Sequence, residues 1–161
     1  MPIPFLRTGE ILNIFFQAMQ DGYANPSTRK GTIVELPGSK TITFELGDFK
    51  VVDCWFTTTH GPHSEGSIHI WCENVPVWAM SFQGWYREDV IPFLKMALRR
   101  NYDIGFWNGG RGPNFFADDG MTYFNNVNSP NDWKHFNGKE MIYDRNGQLA
   151  GFHEYQGLLL A

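Results

Sequence analysis

The sequence predicts an α+β fold, a curved and largely antiparallel β-sheet built from hairpins with two packed α-helices. Three observations carry this. Residues 66–84, GSIHIWCENVPVWAMSFQG, hold two runs rich in Ile, Trp, Val and Phe around a short polar break, the pattern of a β-hairpin. Two other stretches repeat apolar residues at helical spacing. The last 40 residues return to alternating runs joined by Asn146-Gly147, a hairpin turn signal.

In the first helix Ile11, Leu12, Phe15, Phe16 and Met19 form an apolar stripe, with Thr8 as N-cap and Gly22 as the stop. Residues 24–31, ANPSTRKG, are turn formers and read as a loop. Residues 32–36 and 41–46 alternate around Pro37-Gly38 and read as a further hairpin. Residues 49–58 make a strand with Phe49, Val51, Asp53, Trp55 and Thr57 on one face and Lys50, Val52, Cys54 and Phe56 on the other. An acid between Val51 and Trp55 is unusual.

Residues 58–65, TTHGPHSE, read as a loop into the central hairpin. There Ile68, Ile70 and Cys72 share one face and Ser67, His69 and Trp71 the other; the aromatic content predicts that both faces are covered. Ile68, Ile70, Val52 and Phe56 are expected in one core with Phe15, Phe16 and Leu94. The second helix carries Val90, Phe93, Leu94, Ala97 and Leu98 between Glu88-Asp89 and Arg99-Arg100, charges that suit the helix dipole. Pro92 is tolerated near its start, where an N–H has no partner within the helix. Residues 103–120, rich in Gly and aromatics, read as a long loop of the kind that covers binding sites. Strands follow at 121–126, 133–144 and 148–160. Ile70-Trp71, Val77 and Gln83-Gly84 are echoed by Ile142-Tyr143, Leu149 and Gln156-Gly157 with one extra residue, a match that leaves duplication and chance both open.

The 161 residues, 42% apolar and 16% aromatic, suit one domain over residues 1–161. A net charge of −4 with scattered Lys and Arg argues against direct nucleic-acid binding. No apolar run reaches the ~20 residues of a membrane span, and the first ten residues lack the pattern of a signal peptide. The expectation is a cytoplasmic protein with no membrane partner. Cys54 and Cys72 are expected to be reduced, buried thiols, although a bridge stays open if their strands are neighbours.

A group of short ordered motifs runs through nearly the whole chain. They are Pro37-Gly38-Ser39-Lys40, Gly47-Asp48-Phe49 with Asp53 and Phe56, and Pro76-Val77-Trp78-Ala79-Met80. Arg111-Gly112-Pro113, Gly120 with Tyr123, and Phe136 with Gly138, Glu140 and Ile142-Tyr143 complete the set. In these the chain resembles a family of bacterial domains of unknown function, some of whose members follow a helix-turn-helix DNA-binding module. Residues 3–21 offer only one helix. The resemblance implies no reaction and no catalytic residue.

No constellation names a chemistry outright. His60 and His63 form H-x-x-H near Glu65 and His69, but no third ligand lies at a diagnostic zinc spacing, so they read as an exposed polar loop and no metal is expected. Asp53, His69 and Ser81 lack a nucleophile turn for a hydrolytic triad. Gly109-Gly110-Arg111-Gly112 lacks the Lys-Ser/Thr of a phosphate loop, yet Arg111 suits a carboxylate or phosphate. The leading expectation is a small-molecule-binding or sensing module whose aromatic-lined pocket is formed by Asp53, Trp55, His69, Trp71, Trp107, Arg111, Tyr123 and Glu140, with a small organic ligand and no cofactor. Residues 103–120 are expected to close over it, with Trp107 or Phe115 in its wall and Arg111 facing inward toward Asp53, Glu140 or an anionic group of the ligand. Arg111→Ala is expected to abolish ligand binding and leave the unliganded protein nearly as stable. A hydrolase- or lyase-type enzyme using Asp53 or Glu140 with His69, and a protein-interaction domain, are the alternatives.

Overall fold

Helix α1 (Thr8–Gln20) is followed by strands β1 (Ser39–Leu46), β2 (Phe49–Thr58), β3 (Gly61–Cys72) and β4 (Val75–Tyr86). Helix α2 (Ile91–Tyr102), entered through a 3-10 turn at Glu88–Val90, is followed by β5 (Phe115–Asp118), β6 (Met121–Asn128), β7 (His135–Tyr143) and β8 (Leu149–Leu159). These elements come from a computed structural model that describes residues 8–160. The strands form one antiparallel sheet in the order β1-β2-β3-β4-β8-β7-β6-β5, giving an α+β fold built from hairpins. Each half of the chain is a helix followed by a four-strand meander, and the meanders meet along β4 and β8.

The two halves correspond strand by strand. A constant shift of 72 residues carries the pairs Val51↔Ile70 and Asp53↔Ile68 onto Tyr123↔Ile142 and Asn125↔Glu140. It also carries the irregularity between Ile70 and Trp71 onto that between Ile142 and Tyr143. Bulges are specific local features, so two at equivalent places mark two copies of one unit. The faint echo in the sequence is therefore a structural repeat, with Phe82 and Tyr155 facing one another across the seam. Opposite these two aromatics stand Gly66 and Gly138. A Cβ at Gly66 would lie 2.5 Å from the Cys54 carbonyl oxygen, and one at Gly138 would lie 2.2 Å from the Tyr155 hydroxyl. Both sites need a residue with no side chain.

The core lies between the helices and the inner face of the sheet. Ile11, Phe15, Ala18 and Met19 of α1 and Phe93, Leu94, Ala97 and Leu98 of α2 are buried there against Val51, Ile68, Ile70 and Trp78. Pro92 is the second residue of α2 and Arg99 and Arg100 lie in its last turn, as helix chemistry requires. Thr8, expected as a cap, is instead the first residue of α1.

Several expectations are corrected. Residues 32–36 form turns, not a strand: the Ile33 N–H donates to the Ser39 hydroxyl, Val34 is 86% exposed, and only Gly31 bridges to Thr41. Val34 and Leu36 share a face but stay exposed, so alternation alone does not hold the run in the sheet. The expected loop at 58–65 is mostly strand, since β3 begins at Gly61 opposite Thr58. The expected loop at 103–120 ends early because residues 115–118 pair with β6. The outer face of the sheet is not covered as predicted; Ser81, Gln83 and Gln156 are exposed on it, with Val52, Phe56, His69 and Trp71 half-buried. Val52 and Phe56 thus lie outside the core. Cys54 and Cys72 are half-buried, unbridged thiols, separated by several positions along β2 and β3. No helix among the described residues is long and apolar enough to cross a membrane.

Candidate functional site

Between the helices and the first meander lies a cavity of about 470 Å³. This is within the range of small-molecule sites. Its walls are largely apolar, with Met19, Trp55, Ile68, Phe82 and Leu94 among them, and five tyrosine and imidazole groups, Tyr23, Tyr86, Tyr102, His63 and His153, also line it. Asp53 enters from β2, directly opposite Ile68, because strand alternation points it the same way as Val51 and Trp55.

Asp53 is 7% exposed and its Oδ1 has no hydrogen-bond partner. Burial pushes its carboxyl up to about 7, with the charge of Arg111 pulling weakly the other way. His153, from β8, is 3% exposed and stacks on Tyr86 with ring centroids 4.1 Å apart. Its Nε2 lies 3.3 Å from the Ser64 hydroxyl, and its Nδ1 has no partner. Burial, reinforced by Arg111, lowers its pKa to about 3, so the ring is neutral at physiological pH.

Arg111 reaches the cavity from the segment between α2 and β5, but its charge is already engaged. Its Nε donates to Glu140 Oε1 at 2.5 Å, and Glu140 is fully buried. Tyr123 donates to the other Glu140 oxygen and accepts the Gly112 N–H at 3.0 Å. Tyr86 lies 3.5 Å from Glu140 and 3.4 Å from Arg111. The segment is seated by two glycines with positive φ, Gly109 and Gly110, which take a backbone conformation that other residues resist.

Of the residues expected in the pocket, Asp53, Trp55 and Arg111 line the cavity. Glu140 and Tyr123 lie behind Arg111 and hold it. His69 and Trp71 do not join them: with Asp53 opposite Ile68, His69 stands opposite Val52 on the outer face. Trp107 is also outside the wall, packed edge-on to Phe15, Trp78 and Phe136, while Phe115 is 55% exposed. The glycine-rich segment does not close over this cavity; its buried residues 108–112 fill the inner face of the second meander. In the unliganded protein Arg111 is the ion-pair partner of the buried Glu140. His153 and Ser64 were missed. The signal for His153 was present, as Gly151, His153 and Tyr155 alternate with Phe152, Glu154 and Gln156.

Among the described residues no group of three or more His, Cys, Asp and Glu is placed to hold a metal ion, and His60 and His63 are exposed. Comparison with protein-family models, curated proteins and solved structures finds no match.

Proposed function

We propose that this protein is a small-molecule-binding or sensing module whose ligand occupies the cavity between the helices and the first meander. The observation that carries this reading is the unpartnered, buried Asp53 carboxyl on the wall of a largely apolar cavity. A buried polar atom without a partner costs stability, and a bound ligand that supplies the partner removes that cost. The reading suits a domain of the bacterial family that the chain resembles, acting in the cytoplasm without direct nucleic-acid contact.

The test is a thermal-shift screen of the full chain against a metabolite library. A ligand at 100 times its Kd adds about 2.7 kcal/mol to the native state. Hits should stabilise the wild type and the outer-face variant Ser81→Trp alike, and fail with Thr57→Trp, which plugs the cavity rim. The reading is overturned if no compound acts, or if Thr57→Trp responds like the wild type.

A second reading, an acid–base enzyme, draws on the pKa of Asp53 near 7, where a carboxyl can both give and take a proton. Its imidazole partner would be His153, not His69. Turnover of a screening hit with a pH profile that breaks near 7, lost in Asp53→Asn, would favour it over simple binding.

A further inference from the structure

The internal repeat supplies a comparison within the molecule. Asn125 is the equivalent of Asp53 in the second meander, and every polar atom of its side chain is engaged. Its Nδ2 donates to the Asn108 carbonyl at 3.1 Å and the Gly112 carbonyl at 2.8 Å, and its Oδ1 accepts from Tyr155 at 2.5 Å. The partners come largely from the segment that follows α2. In the first meander the segment that follows α1 adds Tyr23 to the cavity wall, but no group of it bonds Asp53 Oδ1, which stays without a partner.

Resting on the reading of this cavity as a ligand site, we infer that it selects a protonated amine carried on an apolar or aromatic body, with the ammonium on Asp53. The group that waits for a partner is a carboxyl, an acceptor when ionised and the natural counterpart of an N–H donor. The cation that acts on Asp53, Arg111, is already taken by Glu140, so an anionic group placed beside Asp53 would find no free countercharge there. Ring faces of Tyr23 and Trp55 are already engaged by Lys30 Nζ, 5.6 Å from the Trp55 centroid, and Lys95 Nζ, 4.7 Å from that of Tyr23, so the place for the ammonium is Asp53. The body of the ligand meets Met19, Ile68, Phe82 and Leu94.

Below about pH 7 Asp53 should release its proton to solvent when the ammonium binds, while the amine keeps its own. The groups that face Asp53 are Arg111 with Glu140, His153, and the tyrosines 23, 86 and 102, with His63 and Glu88 at the rim and Lys30 and Lys95 against Tyr23 and Trp55. His153 is neutral near physiological pH and Arg111 stays charged, so Asp53 dominates the dependence near pH 7. Affinity for a strongly basic amine should rise with pH up to about 7 and level off above it.

The probes are tryptamine, tryptophol and indole-3-propionate, one body with cationic, neutral and anionic heads, titrated calorimetrically into the full chain at pH 7.5. Tryptamine should bind at least tenfold more tightly than either analogue, and Asp53→Asn should erase the preference while tryptophol still binds. A repeat on the wild type at pH 5.5 should reduce the preference and needs no variant. If tryptophol or the propionate binds the cavity as well as tryptamine, or the preference survives Asp53→Asn, the ligand class is wrong and the cavity reading stands. If none of the three binds and the metabolite screen is also empty, both fall.

Discussion

Asp53 and Asn125 hold equivalent places in the two halves of the sheet, yet only Asn125 has its side chain satisfied. One repeat thus seals its inner face with its own chain, and the other keeps a cavity. The difference arises from the segments that follow the two helices and from one strand position, where Tyr155 donates to Asn125 Oδ1 and its counterpart Phe82 has no hydroxyl.

This pair gives a directional prediction. In Asn125→Asp the donor to two carbonyls becomes a second acceptor, so both carbonyls and the carboxylate lose their match in a dry site. The loss should be about 3 kcal/mol or more in urea denaturation at pH 7. Asp53→Asn, which removes a carboxyl whose ionisation burial resists, should instead raise stability at the same pH.

Period-two alternation in residues 49–58 groups Asp53 with Val51 and Trp55 but does not say which face is buried: the expected core held Val52 and Phe56, and the structure buries Val51, Asp53 and Trp55 instead. The same rule, applied across the β2–β3 pair, places His69 opposite Val52 and removes it from the site. Arg111 was legible as inward-facing, but its commitment to Glu140 depends on a contact 29 positions away that no local pattern reports. Strand β5 escaped for a similar reason: its four residues are held by pairing with β6 after a stretch of Gly and Pro. The cavity itself follows from the course of one connecting segment, and local propensity does not encode that course.

The buried ion pair should behave as a unit. Arg111→Ala removes the partner of Glu140 at full burial, and Glu140→Ala removes that of Arg111, so each should cost about 3–5 kcal/mol. Replacing both with Met and Leu should cost markedly less than the sum of the single changes, and a double-mutant cycle by chemical denaturation reads the difference.

The seam glycines make a matched test of the repeat. Gly66→Ala brings a methyl within 2.5 Å of the Cys54 carbonyl, and Gly138→Ala within 2.7 Å of the Asn126 carbonyl as well as onto Tyr155. Backbone on both sides cannot give easily, so each should destabilise by about 1–3 kcal/mol, the range for overpacking. Ala at Gly47, which has open space around it, should show only the smaller cost of its positive φ. Equilibrium unfolding of the three variants ranks them.

The pH dependence of stability should show Asp53 and His153 working against each other. For Asp53 the folded pKa, about 7, lies above the unfolded value near 3.8, so between these limits the native state holds a proton that the unfolded chain has lost. Stability from this group is therefore highest below pH 4 and falls by up to about 4 kcal/mol as pH rises to 7. For His153 the folded value, about 3, lies below the unfolded value near 6.5, so the unfolded chain binds the extra proton and stability rises with pH between 3 and 6.5. From about pH 4 to 6.5 the two slopes are opposite and nearly cancel. In Asp53→Asn only the rising limb remains, and the ligand-free protein should gain stability steadily from pH 4 to 6.5. In His153→Gln only the falling limb remains, and stability should drop over the same interval and continue to fall toward pH 7. Urea denaturation at half-unit steps separates the curves; parallel profiles for the two variants would mean that neither group is held in the protonation state its burial dictates.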